Sequence, residues 1–390
     1  MTGRSEHPVP ARPLSAIVLA AGEGTRMRSD RPKPLHQLCG RPMVLHVIDA
    51  LAQVDVERVV VVVGHRADWV TRTLTDHAPS AMKIEFVEQV SQRGTGDAAA
   101  VGLTGLIDVD TEEEDVVVLP GDTPLLRAPT LAALVRAHRR ADAGATLLTA
   151  ELANPTGYGR VVRGRDGMVA RVVEEADATE EQRAVREVNT SIYCFRRSLL
   201  APSLRRLSPA NAQGEYYLTD VVGVLYEAGY PVLSVVVADP MEAAGVNDRS
   251  QLAVAEAELR DRINERWMRR GVTMWDPERT YVDAAVELAP DVALLPGVIL
   301  KGRCVVGRGA EVGPDSMLVD TEVGERAEVR QTVATDAVVG PGAKVGPFTR
   351  LGPGVVVAPD AVVPPFSDLT SPGPGADAGS GAASGATAGS

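Results

Sequence analysis

Between Leu19 and His36 the sequence reads LAAGEGTRMRSDRPKPLH, a set of residue types suited to holding a polyphosphate. Gly22 and Gly24 let the backbone turn tightly and come close to a bulky partner. Arg26, Arg28, Arg31 and Lys33 follow at once. Backbone N–H groups in a glycine turn, joined by several cations, make an anion cradle. The common phosphate loops do not fit, because there is no GK[ST] and Met27 stands at the third glycine position of GxGxxG. The same residues would also serve an ordinary strand-to-helix turn with a basic face. Lysine is rare in this chain, confined to Lys33, Lys83, Lys301 and Lys344, which points to a task for a compact point charge at Lys33.

Three further groups of residues offer complementary chemistry. VVVLPGDTP (116–124) places Asp122 just past a buried strand, where its carboxylate could hold Mg²⁺ or cap a following helix. GVNDR (245–249) offers Asn247 in the same two roles. In EQVSQRGTGDAAA (88–100), Gln89 carries both a donor and an acceptor and could read the edge of a base, while Gly94 and Thr95 admit close backbone approach. An ordinary helix entry explains that stretch equally well. GYGR (157–160), Glu174 in RVVEEADA, Asn189 in EVNTSIY and the run NAQGEYYLTD (211–220) supply the carboxylate, amide and backbone groups that sugar hydroxyls need. Thr219 and Asp220 would equally cap a helix.

Taken together, LAAGEGTRM…RPKPLH resembles the signature of the sugar-phosphate nucleotidyltransferases, and the chain looks most like the uridylyltransferase half of the GlmU family. The resemblance is strong over about residues 15–280 and weaker to about Val357. It implies that Leu19, Ala20, Ala21, Gly22, Gly24, Thr25, Gln89, Gly94 and Thr95 bind the nucleotide, with Arg26 and Lys33 as catalytic residues on its phosphates. It also implies that Gly121, Gly159, Glu174, Asn189 and Thr219 bind the sugar, and that Asp122 and Asn247 hold Mg²⁺. The implied reaction joins UTP and N-acetylglucosamine-1-phosphate into UDP-N-acetylglucosamine and pyrophosphate. The family's second activity, acetyl transfer from acetyl-CoA, calls for a base, most often histidine. The last histidine here is His138, so the acetyltransferase is expected to be absent. Three positions depart from the family pattern: Asp97 where histidine is usual, Ser191 where glycine is usual, and Gly352 where an arginine is usual. A second negative group at Asp97 would weaken nucleotide binding. Alternatives are a transferase for another sugar phosphate or nucleotide, and a non-catalytic nucleotide-sugar sensor or assembly protein.

The elements that must position these residues alternate. Apolar runs at 16–19, 59–63, 84–87, 116–119 and 145–150 read as buried strands, with helical patterns near 43–54, 67–74, 97–106 and 130–141. Such alternation implies a mainly parallel sheet with helices on both faces, a Rossmann-like α/β domain, with ligands beyond the carboxyl ends of its strands. From 155 to 240 the shorter segments suggest an insertion over the sheet. Residues 247–271 read as one helical arm, capped by Asn247 or Asp248, with Leu252, Leu259, Ile263 and Trp267 as its apolar stripe. Beyond Asp283 an aliphatic residue recurs about every six positions, the pattern of a left-handed parallel β-helix rather than of sandwich strands. At 18 residues per coil, 290–363 supplies about four coils. The expected organisation is thus a flexible N-terminus (1–13), a nucleotidyltransferase domain (14–246), a linker helix (247–271), a short β-helix (280–365) and a disordered Gly/Ala/Ser/Pro tail (366–390).

Composition excludes several classes. The 390 residues carry a formal charge of −12, which argues against nucleic-acid and anionic-membrane binding. Residues 1–44 run the other way, with seven Lys and Arg against three Asp and Glu, so positive charge gathers around the proposed cradle. Cys39, Cys194 and Cys304 form no CxxC pair, which suits a reducing cytoplasm. The first residues lack the apolar core of a signal peptide, and no run of about 18 apolar residues exists to span a membrane. A cytoplasmic enzyme is expected, and the family resemblance adds a homotrimer formed through the β-helix.

Overall fold

The computed structural model describes residues 12–106 and 114–370. The expected flexible N-terminus, apart from Arg12 and Pro13, and the tail from Ser371 onward lie outside the described residues. The chain divides into two compact units, with the boundary between Leu259 and Arg260.

The first unit opens with β1 (Leu14–Leu19), a small hairpin of β2 (Gln37–Leu38) and β3 (Arg41–Pro42), and α1 (Met43–Ala52). Then β4 (Arg58–Val63), α2 (Ala67–His77), β5 (Ile84–Glu88), α3 (Thr95–Thr104), β6 (Asp115–Pro120), α4 (Ala128–Arg140) and β7 (Ala145–Glu151) alternate as the apolar runs predict. The hairpin β8 (Arg160–Arg163) and β9 (Val169–Val173) follows, then the single turn α5 (Glu180–Arg183), and then β10 (Glu187–Arg196). The unit continues with α6 (Arg197–Leu204), α7 (Asp220–Glu227), β11 (Val232–Val236) and most of α8 (Arg249–Met268).

The main path of the sheet runs β11-β7-β10-β6-β1-β4-β5. All its neighbours are parallel except β10, which lies antiparallel between β6 and β7. Successive residues of β1 face opposite ways, as a strand's period of two requires. Ala16 and Val18 pack beneath α1 and α4, whereas Ile17 packs beside α3 residues Ala98 and Ala99. Full burial of each such side chain contributes about 1.5–3 kcal/mol.

The expectation that residues 155–240 lie over the sheet needs correction. β10 and β11 are sheet strands and β8 and β9 extend from it as a hairpin, while α6 and α7 pack on one face through Leu200, Leu204, Val221 and Leu225. Ile192 to Phe195 are fully buried, and a strand buried on both faces demands a central position. The polar first half of β10, EVNTS, hides that run in the sequence.

In the second unit all three sheets are parallel stacks, of six, six and five strands, which excludes the sandwich and matches a left-handed β-helix. Strands begin at Thr273 and continue to Leu369, so the solenoid is longer than residues 280–365. Register repeats such as Tyr281↔Ile299↔Met317↔Val333↔Arg350 show coils of 16–18 residues. Each coil buries one aliphatic side chain per face, as at Leu294, Leu300 and Val306.

Candidate functional site

The carboxyl ends of β1, β5 and β6 and the amino-terminal end of the antiparallel β10 open into one cavity of about 570 Å³ in the first unit. Leu19, Ala21, Gly22 and Arg26 from the opening motif line it, together with Gln89, Gly94, Thr95, Asp122 and Asn247. Gly159, Glu174, Asn189 and Thr219 line it as well. Ala20, Gly24, Thr25, Lys33 and Gly121 are not among the residues that line it. Ala20 and Gly121 continue the sheet, with Ala20 N–H donating to Val62 and Gly121 N–H to Leu19.

The cationic end is built by a fold-back of the signature loop. Gly24 has φ 63°, and a Cβ there would lie 2.6 Å from Lys33 Cβ, so only glycine lets the two limbs close. Met27 and Leu35, fully buried, anchor each limb. Lys33 Nζ pairs with Asp122 and donates to Asn247 Oδ1 at 2.8 Å, while Arg26 Nη2 donates to the same oxygen at 2.9 Å. Val246 N–H donates to the Asp122 carbonyl at 2.9 Å, which holds GVNDR beside the aspartate. Arg249 reaches back to the Met27 carbonyl (3.2 Å) and to His36 Nδ1 (3.4 Å). Burial and the neighbouring Arg249 and Arg31 hold the His36 pKa below its ordinary value.

These contacts decide the alternatives that local sequence left open. Asp122 caps no helix, since α4 starts at Ala128 with Arg127 before it. For α8 the cap is Asp248, whose Oδ1 accepts from Gln251 N–H at 2.8 Å. That leaves the Asn247 side chain for Lys33 and Arg26. Thr219 precedes α7 but makes no side-chain cap, and donates instead to Glu174 Oε1 at 2.9 Å.

Where β5 leads into α3, Gln89 Nε2 donates to Asp97 Oδ2 (2.8 Å) and to the Gly94 carbonyl (3.3 Å). Asp97 is also paired with Arg93 at 2.6 Å, so its charge is balanced locally rather than set against the phosphates. Just after β9, burial raises the Glu174 pKa, partly opposed by the Thr219 hydroxyl and reinforced by Asp220 and Asp177. Asn189 Nδ2 donates to Tyr193 OH at 2.7 Å, while its Oδ1 is buried with no partner. Ser191 has φ 62° where β10 bulges between Asn189 and Ile192, a conformation that explains why glycine suits this place.

Two wall residues lie in runs that the sequence marked but were not themselves picked out there. Gln92 Nε2 donates to the Ala21 carbonyl at 2.7 Å and ties the loop between β5 and α3 to the signature loop. Tyr217 is buried, and burial and the nearby carboxylates Asp177, Glu174 and Glu215 push its pKa up to about 12. A tyrosine in a core and a tyrosine in a pocket wall look alike in one sequence.

Asp122 and Asn247 present a carboxylate and an amide oxygen that converge on a single cation, the Lys33 ammonium. Two hard oxygens fit a divalent ion that keeps phosphate and water oxygens for its remaining positions. Among the described residues no group of three or more His, Cys, Asp and Glu could hold a metal alone. No helix of the described residues is long and apolar enough to cross a membrane.

Comparison with known proteins agrees with this geometry. Residues 16–219 match the MobA-like NTP transferase domain. The bifunctional protein GlmU of Thermobifida fusca is 48% identical over 332 residues, covering 85% of this chain and 68% of the relative. GlmU of Streptomyces avermitilis is 47% identical over 84% of this chain and 67% of its own length. For GlmU of Desulfitobacterium hafniense the values are 45%, 84% and 70%. With a nucleotidyltransferase fold, one cavity with a cationic end, and this degree of identity, the chain belongs to the GlmU family as a sugar-1-phosphate nucleotidyltransferase.

Proposed function

We propose that this chain is a Mg²⁺-dependent uridylyltransferase that makes UDP-N-acetylglucosamine and pyrophosphate from UTP and N-acetylglucosamine-1-phosphate. The observation that carries the reading is the convergence of Lys33 and Arg26 on Asp122 and Asn247. Arg26, Asp122 and Asn247 of this cluster line the same cavity as Gln89, Glu174 and Asn189, which in this reading face the base and the sugar. The sugar phosphate is already an anionic nucleophile, so no residue need remove a proton. What the chain must do is align that phosphate with the α-phosphorus of UTP and balance charge on the departing pyrophosphate. Arg26 and Lys33 supply fixed positive charge for the second task. The unpartnered Asn189 Oδ1 suits the acetamido N–H, and the Glu174 carboxylate suits a sugar hydroxyl. Asp122 and Asn247 would hold the metal. When bound, Mg²⁺ screens the phosphates and polarises them for attack.

In this reading residues 14–246 form the transferase domain, 247–271 an arm, and the solenoid a homotrimeric contact in the cytoplasm. Acetyl transfer is not assigned to these residues, because 260–390 contain no histidine to deprotonate an amine. The test is pyrophosphate release with Mg²⁺, UTP and N-acetylglucosamine-1-phosphate, beside glucose-1-phosphate, glucosamine-1-phosphate and other nucleotides. Turnover confined to the first pair and lost in Asp122→Ala supports the reading. Silence with every pair while UTP still binds sinks it and leaves a nucleotide-sugar sensor. Acetylation of glucosamine-1-phosphate from acetyl-CoA, measured in parallel, should be nil.

A further inference from the structure

Gln89 directly follows β5 and lines the cavity with little exposed surface. Both partners of its Nε2, the Asp97 carboxylate and the Gly94 carbonyl, can only accept hydrogen bonds. The orientation of the amide is therefore set by chemistry: the NH₂ must face them and Oε1 must face away. Oε1 has no hydrogen-bond partner among the described residues.

Asp97 is itself held. Arg93 donates to its other oxygen at 2.6 Å and lies over the Tyr216 ring at 5.9 Å. Tyr216 N–H donates to the Arg93 carbonyl at 2.8 Å, and Gly96 N–H donates to the Tyr216 carbonyl at 2.7 Å. Gly94 closes the assembly, since a Cβ there would meet the Tyr216 carbonyl at 2.6 Å. A closed ring of contacts thus fixes one carboxylate against one amide.

We propose that Asp97 is a positioning residue for nucleobase selection, holding the Gln89 amide so that an acceptor, never a donor, faces the base. A base with an N–H at N3, as in uracil, donates to that acceptor. Cytosine presents a lone pair at N3, and two acceptors repel. Without Asp97 the carboxamide is free to turn over and offer its NH₂ to cytosine. The inference rests on the uridylyltransferase reading for the location of the base and adds the residue that enforces the choice.

The experiment compares kcat/KM for UTP and CTP, with Mg²⁺ and N-acetylglucosamine-1-phosphate, in the wild type, Asp97→Ala and Asp97→Asn. The UTP:CTP ratio should fall by about tenfold or more in Asp97→Ala, mainly through KM, because the buried pairing that rejects cytosine is lost. It should fall further in Asp97→Asn, whose amide can donate to Gln89 Oε1 and turn it over. A merely structural Asp97 would lower both substrates together, so a ratio within twofold of wild type in both variants overturns the inference. A wild type with no preference for UTP over CTP overturns it as well. If the wild type binds nucleotides without turnover, the function reading fails separately, and the same ratio measured by calorimetric binding of UTP and CTP still decides the role of Asp97.

Discussion

Lys33 is a cation that Asp122 and Asn247 share. A divalent ion that takes those oxygens must compete with the ammonium, so the site without substrate should bind metal weakly. Removing the ammonium frees both oxygens. Lys33→Met is therefore expected to strengthen binding of Mn²⁺ alone by about tenfold or more, read by electron paramagnetic resonance, since a like charge at this distance is worth at least about 1 kcal/mol. The same variant should lower kcat/KM by about 10²–10³-fold through lost charge on the phosphates. Unaltered Mn²⁺ binding would show that the two oxygens are not the metal's. Glu174 gives a pH prediction. Its folded pKa is raised, by burial first, so the native state binds its proton more tightly than the unfolded chain does. Stability from this group is full at low pH and is lost as pH rises through the folded pKa. Glu174→Gln should flatten that segment of a urea-denaturation profile above the usual glutamate range, and should raise KM for the sugar phosphate by about tenfold through the lost carboxylate acceptor. A profile that keeps the wild-type slope would mean that another carboxylate carries it.

The two glycines of the opening turn separate fold from ligand approach at the level of the element. Gly24 sits at φ 63° against Lys33 Cβ, whereas nothing lies within 4 Å of a Cβ built on Gly22, where no left-handed φ is needed. Gly24→Ala should cost about 1 kcal/mol of stability from backbone strain, more from the clash, and should displace Lys33 and depress kcat. Gly22→Ala should leave the melting temperature within a degree and raise KM for UTP. Equal melting curves for the two variants would contradict the fold-back geometry. This turn was legible in the sequence because its information is local: glycines, cations and a preceding apolar run. The five parallel strands and their helices were legible for the same reason, since their periodicity lies within each segment. The antiparallel entry of β10 was not, because its central place depends on partners about 40 and 80 residues away in the sequence and its first half is polar. The choice between Asn247 and Asp248 as cap of α8 was likewise undecidable locally. It is settled by Lys33 and Arg26, more than 200 residues distant, which take the Asn247 side chain.

Across the molecule, the second unit carries a surface that the chemistry of the first does not use. In the five-strand stack of the solenoid, the outward positions in register are Glu287, Val305, Glu322, Val338 and Val356. The three valines are 42%, 38% and 71% exposed, and they share one face. Isolated exposed valines are ordinary, but three on one face of a parallel stack, Val338 and Val356 adjacent and Val305 beyond Glu322, form an apolar contact that a second copy of the chain can match. The net charge of −12 opposes self-association at long range, so the contact must come from such short-range apolar burial. Changing Val305, Val338 and Val356 together to lysine should therefore convert the proposed trimer to monomer in sedimentation velocity. Because the cavity is built within the first unit, kcat/KM for uridylyl transfer should stay within about twofold. An unchanged sedimentation coefficient would place the subunit contact on another face of the solenoid. A monomer that also loses transferase activity would show that the site needs its neighbours.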